Sequence, residues 1–224
     1  MFRSIGRRAA LAATVGAVGA MSVAPATASA YSSEQVFNNS PVAGVLTPKK
    51  LNEPVTLPQG TVFNGRARIE WTKFDFSDLS GTINGAVSAP EFKTTIHFLG
   101  IPTDVGITFT QVGNAGGVVS VGHGCATKGV CAAVSVPTKV NIGITYLGPL
   151  GLDVPTHCVT SEPVAFNLTD TLTIAELLVH GPHFAGTVTI PPISCEGVEA
   201  LVVAPILTEE MSGPENPYEL SIHP

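Results

Sequence analysis

The sequence predicts an all-β fold, an antiparallel β-sandwich with a barrel as the alternative, stabilised by two disulfides. Three observations carry that expectation. Apolar residues alternate with small or polar ones at Val164, Phe166 and Leu168 and again at Phe184, Val188 and Ile190, the period of strands with one buried face. Turn signals punctuate such runs about every ten residues, as in antiparallel sandwiches and barrels. Cys158 and Cys195 bracket one of these strand-rich segments, so a bridge between them would tie its first strand to its last.

The chain opens with Arg3, Arg7 and Arg8, an Ala/Gly/Val-rich run to about Ala24, and Ala28-Ser29-Ala30 before Tyr31. That order of positive charge, apolar run and small residues is the pattern of a secretory signal peptide, so residues 1–30 are expected to be cleaved near Ala30. The apolar run is shorter than the roughly 20 residues that a membrane-spanning helix needs. Arg7-Arg8 leaves both the general secretory and the twin-arginine routes open. The product is expected to be secreted or associated with the cell envelope.

Tyr31 to Glu53 shows no sustained period and carries loop signals at Asn38-Asn39-Ser40-Pro41 and Thr47-Pro48, so residues 31–53 read as an extended N-terminal arm. Residues 54–224 read as a single β-sandwich domain. Strand signals run through Val55 to Phe63, Ala67 to Trp71, Leu79 to Val87, Ile96 and Phe98, Val105 to Phe109, Val118 to Val121, Val134 and Val136, and Val140 to Tyr146. Asn64-Gly65, Ile101-Pro102 and Pro137-Thr138 are read as turns between them. Trp71 alternates with Ile69 and Ala67, a core position. Helix signals are thin: Thr173 to His180 and Glu196 to Ala204 suffice for a turn or two, with Gly197 and Pro205 limiting the second. Tyr218, Leu220 and Ile222 end the chain as a last strand.

Four cysteines in an exported chain imply two disulfides. The preferred pairing is Cys125 with Cys131 and Cys158 with Cys195. His123-Gly-Cys125, His157-Cys158 and His180-Gly-Pro-His183 offer an alternative zinc or copper reading, but oxidised cysteines are not ligands. Asp75 and Asp78 with Asn84 match no calcium loop. No metal or other cofactor is therefore assigned.

No catalytic residue is assigned either. Gly117-Val-Val-Ser120-Val-Gly122 has one residue too many before the serine for a nucleophile elbow. With Arg3, Arg7 and Arg8 gone, eight basic residues stand against seventeen acidic ones, a net −9, and none lies beyond Lys139. Such a surface repels phosphate backbones, so nucleic-acid binding is excluded as an expectation.

A cysteine near Pro163-Val164, then Phe184-Ala-Gly-Thr-Val-Thr-Ile-Pro-Pro-Ile-Ser-Cys195, then Ser212-Gly-Pro-Glu-Asn216 resembles uncharacterised small secreted β-rich proteins of actinobacteria. The resemblance covers the C-terminal part, implies export and a β-rich fold, and brings no activity. The leading reading is a secreted, non-enzymatic β-domain binding an envelope or extracellular ligand, a lipid-like molecule or a protein. An outer-envelope β-barrel or oligomeric channel and an extracellular hydrolase are the alternatives.

Overall fold

The computed structural model describes residues 30–98, 100–122, 131–149, 154–197 and 199–223. The chain runs through β1 (Tyr31–Leu46), β2 (Val55–Thr56), β3 (Val62–Trp71), β4 (Ser80–Ser88), β5 (Phe92–Phe98), β6 (Ile101–Gln111), β7 (Ala115–Gly122) and β8 (Cys131–Pro149). It continues with β9 (Val154–Thr160), β10 (Val164–Thr173), α1 (Ile174–Val179), β11 (His183–Ile190), β12 (Ile193–Cys195), α2 (Glu199–Met211) and β13 (Gly213–Ile222). The all-β expectation holds, and every strand pairing is antiparallel.

The sandwich does not. The 13 strands form one hydrogen-bonded sheet in the order β11-β13-β1-β3-β4-β7-β8-β6-β5, with β10 and β9 also on β8, β12 on β9 and β2 on β1. Two strands are long enough to change partners along their length, which carries the sheet round a bend without breaking it. β1 pairs with β3 through Pro41 and with β13 from Val42 onward. A bulge between Phe37 and Ser40, with Asn39 at a positive φ of 52°, supplies the local bend. β8 carries β7 and β10 on its first half and β6 and β9 on its second.

The barrel alternative fails as well. The curl lays β10 beside β11, yet among the described residues no ladder joins them, so the sheet stays open at that seam. Single bonds cross it: the His183 N–H donates to Asp170 Oδ2 at 2.8 Å, and the Tyr218 hydroxyl donates to the Asn167 carbonyl at 3.1 Å.

Three further expectations are corrected. The extended arm expected over residues 31–53 is, over residues 31–46, a 16-residue strand paired into the sheet; residues 31–36 are exposed on both faces, so no alternation marks them. Asn64-Gly65, Ile101-Pro102 and Pro137-Thr138 lie inside β3, β6 and β8 rather than in turns. α2 passes straight through Pro205 to Met211, because Leu207 and Met211, 1% and 3% exposed, bury beyond the proline.

One disulfide lies wholly among the described residues. Cys158 and Cys195 face each other across the β9–β12 ladder with Cα atoms 4.0 Å apart and are bonded. Cys125 lies outside the described residues, and the expected Cys125–Cys131 bridge with it.

Candidate functional site

The curl encloses a cavity of about 70 Å³. Phe37 of β1, Ala67 of β3, Ile83 of β4 and Val119 of β7 line one side. Val136 of β8, Leu168 of β10, Phe184 of β11 and Ile222 of β13 line the other. All eight strands of the curled part thus contribute one alternating face, and α1 adds Leu177. The lining is apolar apart from Gln35 and Thr138, and it contains no charged side chain.

Small residues leave the room. Ala67 and Ala115 stand on the lining where a larger side chain would fill it. At one end the Phe63 ring lies flat on the sheet, edge to face with Phe37 at 5.4 Å between centroids. Gly85 permits this, since a Cβ there would strike the Phe63 ring.

α1 is fixed at its start by a capping box. The Glu176 N–H donates to Thr173 Oγ1 at 3.2 Å, and the Thr173 N–H donates to Glu176 Oε2 at 2.8 Å. Glu176 Oε2 also accepts from the Thr173 hydroxyl at 2.8 Å, and the Thr173 N–H first and its hydroxyl second hold the Glu176 carboxyl below its ordinary range. Gly181, at φ 73°, ends the helix in the left-handed conformation that glycine adopts freely.

Thr138 is the anomaly of the lining. Its Oγ1 is buried without a hydrogen-bond partner, the only such side-chain atom among the described residues. Thr138 sits on β8 opposite Phe166, and Asn167, the next residue along, gives its carbonyl to Tyr218. Burying a hydroxyl unpaired costs on the order of 1–3 kcal/mol. Every other buried side-chain polar atom described avoids that cost, as Thr156 does by donating to the Ile144 carbonyl at 3.0 Å.

The sequence-selected residues are not gathered at this cavity. Cys158 is oxidised, so His157-Cys158 supplies no thiolate. His180 caps α1, His183 begins β11, and His123 lies outside the described residues. The Asp78 carboxyl, held below its ordinary range chiefly by the Thr72 hydroxyl, also accepts from the Thr72 and Lys73 N–H groups. Asp75 accepts from the Ser77 N–H at 3.0 Å, while Asn84 sits on β4 between Arg66 and Gly116. Ser120 stands in mid-ladder between Ser80 and Ala133.

Trp71 is corrected from core to surface. It closes β3 half-buried, stacked on Tyr31 at 6.0 Å and tilted against Phe76 at 5.3 Å, with Phe74 beside Tyr31 and 85% exposed. No helix among the described residues is long and apolar enough to cross a membrane. No family model matches the chain, and neither a curated protein nor a solved structure is significantly similar to it.

Proposed function

We propose that this chain is a secreted, non-enzymatic β-domain that holds a small apolar molecule inside its curled sheet. The observation that carries the reading is the cavity itself: eight strands turn apolar side chains toward a space that they do not fill. Tight packing is the rule in protein interiors, and apolar pockets with a few placed polar groups are the usual form of small-molecule sites. The unpaired seam between β10 and β11, with α1 beside it, gives such a molecule a way in. The export pattern of residues 1–30 and the Cys158–Cys195 bridge fit a protein that works outside the cytoplasm. A single-chain pore has less support, because a lipid-facing sheet needs every edge paired.

A cavity of about 70 Å³ exceeds the room of one water and falls below the roughly 150 Å³ of an engineered site that takes benzene or xenon. The guest is therefore a short chain or a thin part of a longer one. Xenon-129 NMR tests the reading. The wild type should shift the xenon resonance, and Ala67→Leu, which puts a larger side chain into the space, should remove most of that shift. A wild type that leaves xenon unaffected, or an unchanged response in Ala67→Leu, would overturn the proposal.

A further inference from the structure

We infer that the guest is a long chain: one segment of it fills the cavity, and the rest leaves beside Gln35 and lies along Ile69, Trp71 and Tyr31. The inference rests on the cavity reading above and names the ligand class, an alkyl or acyl lipid too long for the enclosed space. The lining itself shows where such a chain comes out. Gln35 is exposed and Ile69 half-buried, yet both line the cavity, so the space reaches the surface at that point. There β1 has β3 as its only partner, since β13 joins it from Val42 onward. The Gln35 amide is neutral and open to water, so a passing chain meets neither a charge nor a polar group that it must desolvate in full. Gln35 borders the path and does not anchor the guest.

The same face continues past this rim. Gln35 pairs with Ala67, Ser33 with Ile69 and Tyr31 with Trp71. Residues opposite one another, or two apart on one strand, share a face, and one such step from Ile69 to Trp71 is about 6.6 Å. The pairing of β3 with β4 ends at Glu70, so the loop after β3 shapes what lies around Trp71. Phe76 takes a φ of 56°, which a bulky residue adopts only at a cost, and sets its ring 5.3 Å from that of Trp71. Asp78 holds this loop by accepting from the Thr72 and Lys73 N–H groups at 3.0 and 3.1 Å. The result is an aromatic shelf on which Tyr31 is 39% and Phe74 85% exposed, and contiguous exposed apolar surface marks an interaction site. The charged neighbours stand on the opposite face and pair with one another, Arg66 with Glu34 at 3.4 Å and Arg68 with Glu70 at 2.8 Å. An uncharged strip thus runs from the enclosed space to the shelf, and an apolar chain is the occupant that covers both at once.

Trp71 is the only tryptophan of the chain, so tryptophan fluorescence reports this place and no other. Titration of the full chain with 1-pentanol and with 1-decanol, followed by Trp71 emission and by ligand-observed NMR, tests the inference. 1-Decanol should move the emission to shorter wavelength as its chain excludes water from the ring, and 1-pentanol should leave it unchanged. The added methylenes, each about half-buried on the strip, should tighten 1-decanol over 1-pentanol by about thirtyfold. Trp71→Ala and, independently, Tyr31→Ala should weaken 1-decanol by about five- to tenfold and leave 1-pentanol within about twofold. An emission that 1-decanol leaves unchanged, 1-decanol binding no tighter than 1-pentanol, or full 1-decanol affinity in both variants would overturn the inference and leave the cavity reading standing. A wild type that takes up neither xenon nor 1-pentanol would remove the cavity reading and this one together.

Discussion

β8 passes through two regions that are built to different densities. Its first half, with β1, β3, β4, β7, β10, β11 and β13, surrounds the cavity and turns Ala132, Val134, Val136 and Thr138 inward. Its second half, with β5, β6, β9, β12 and α2, turns in Ile142 and Ile144, 2% and 0% exposed. There Ile96, Val105, Ile107, Ile193 and Leu207 are all buried and a disulfide clamps β9 to β12. The same sheet thus offers branched side chains that interlock in one region and alanines that leave space in the other. Filling with Ile, Val and Leu supplies stability; leaving room gives up some of it in exchange for a place to bind.

The largest test of that contrast lies in the filled region. Ile144→Ala should cost about 2–5 kcal/mol, since a fully buried isoleucine leaves a hole that its neighbours cannot close; calorimetric unfolding would register it as a large fall in Tm. A loss no greater than that of Val119→Ala on the cavity wall would dissolve the distinction between the regions. Next comes the clamp: replacing both Cys158 and Cys195 by serine opens a loop with a sequence separation of 37, and the chain-entropy estimate puts the loss at about 3–4 kcal/mol. Urea unfolding of the double variant against the wild type measures it, and a loss under about 1 kcal/mol would show that the clamp adds little to a region already tightly packed.

A smaller effect, of opposite sign, is expected on the cavity side. Thr138→Val removes a buried hydroxyl that has no partner, so it should stabilise the empty protein by about 1 kcal/mol. A destabilised variant would show that the hydroxyl has a partner in solution. The smallest effect is that of acid on α1. Glu176 has its carboxyl held below the ordinary range by Thr173, so its contribution is complete above the unfolded glutamate value and is lost as pH falls through the folded one. Hydrogen exchange at the start of α1 should therefore speed up, relative to the amides of β8, as the pH falls below the ordinary glutamate range, and Glu176→Gln should abolish that relative change.

Which parts of this arrangement could be read beforehand follows from where burial is one-sided. β10, β11 and β13 alternate clearly because one face is core and the other is solvent. β1 escaped notice because Tyr31 to Val36 are exposed on both faces, so no period marks them. α2 was cut short at Pro205, yet Leu207 and Met211 hold the helix through it; packing overrode a local penalty. Thr138 was visible only as half of a Pro-Thr turn signal, although it continues a strand. Thr173 and Glu176, three residues apart, form the capping box that starts the helix beside the cavity. The cavity itself was not legible, because alternation fixes which side chains face inward but not the volume that they leave between facing strands.

The 19 residues of β8 also have a bearing on how the molecule comes apart. A single ribbon that supplies rungs to four neighbours, two in each region, leaves neither region able to melt while the other keeps its ladder complete. One heat-absorption peak is the natural outcome for such a body, and the amides along that ribbon should be the last to exchange with solvent.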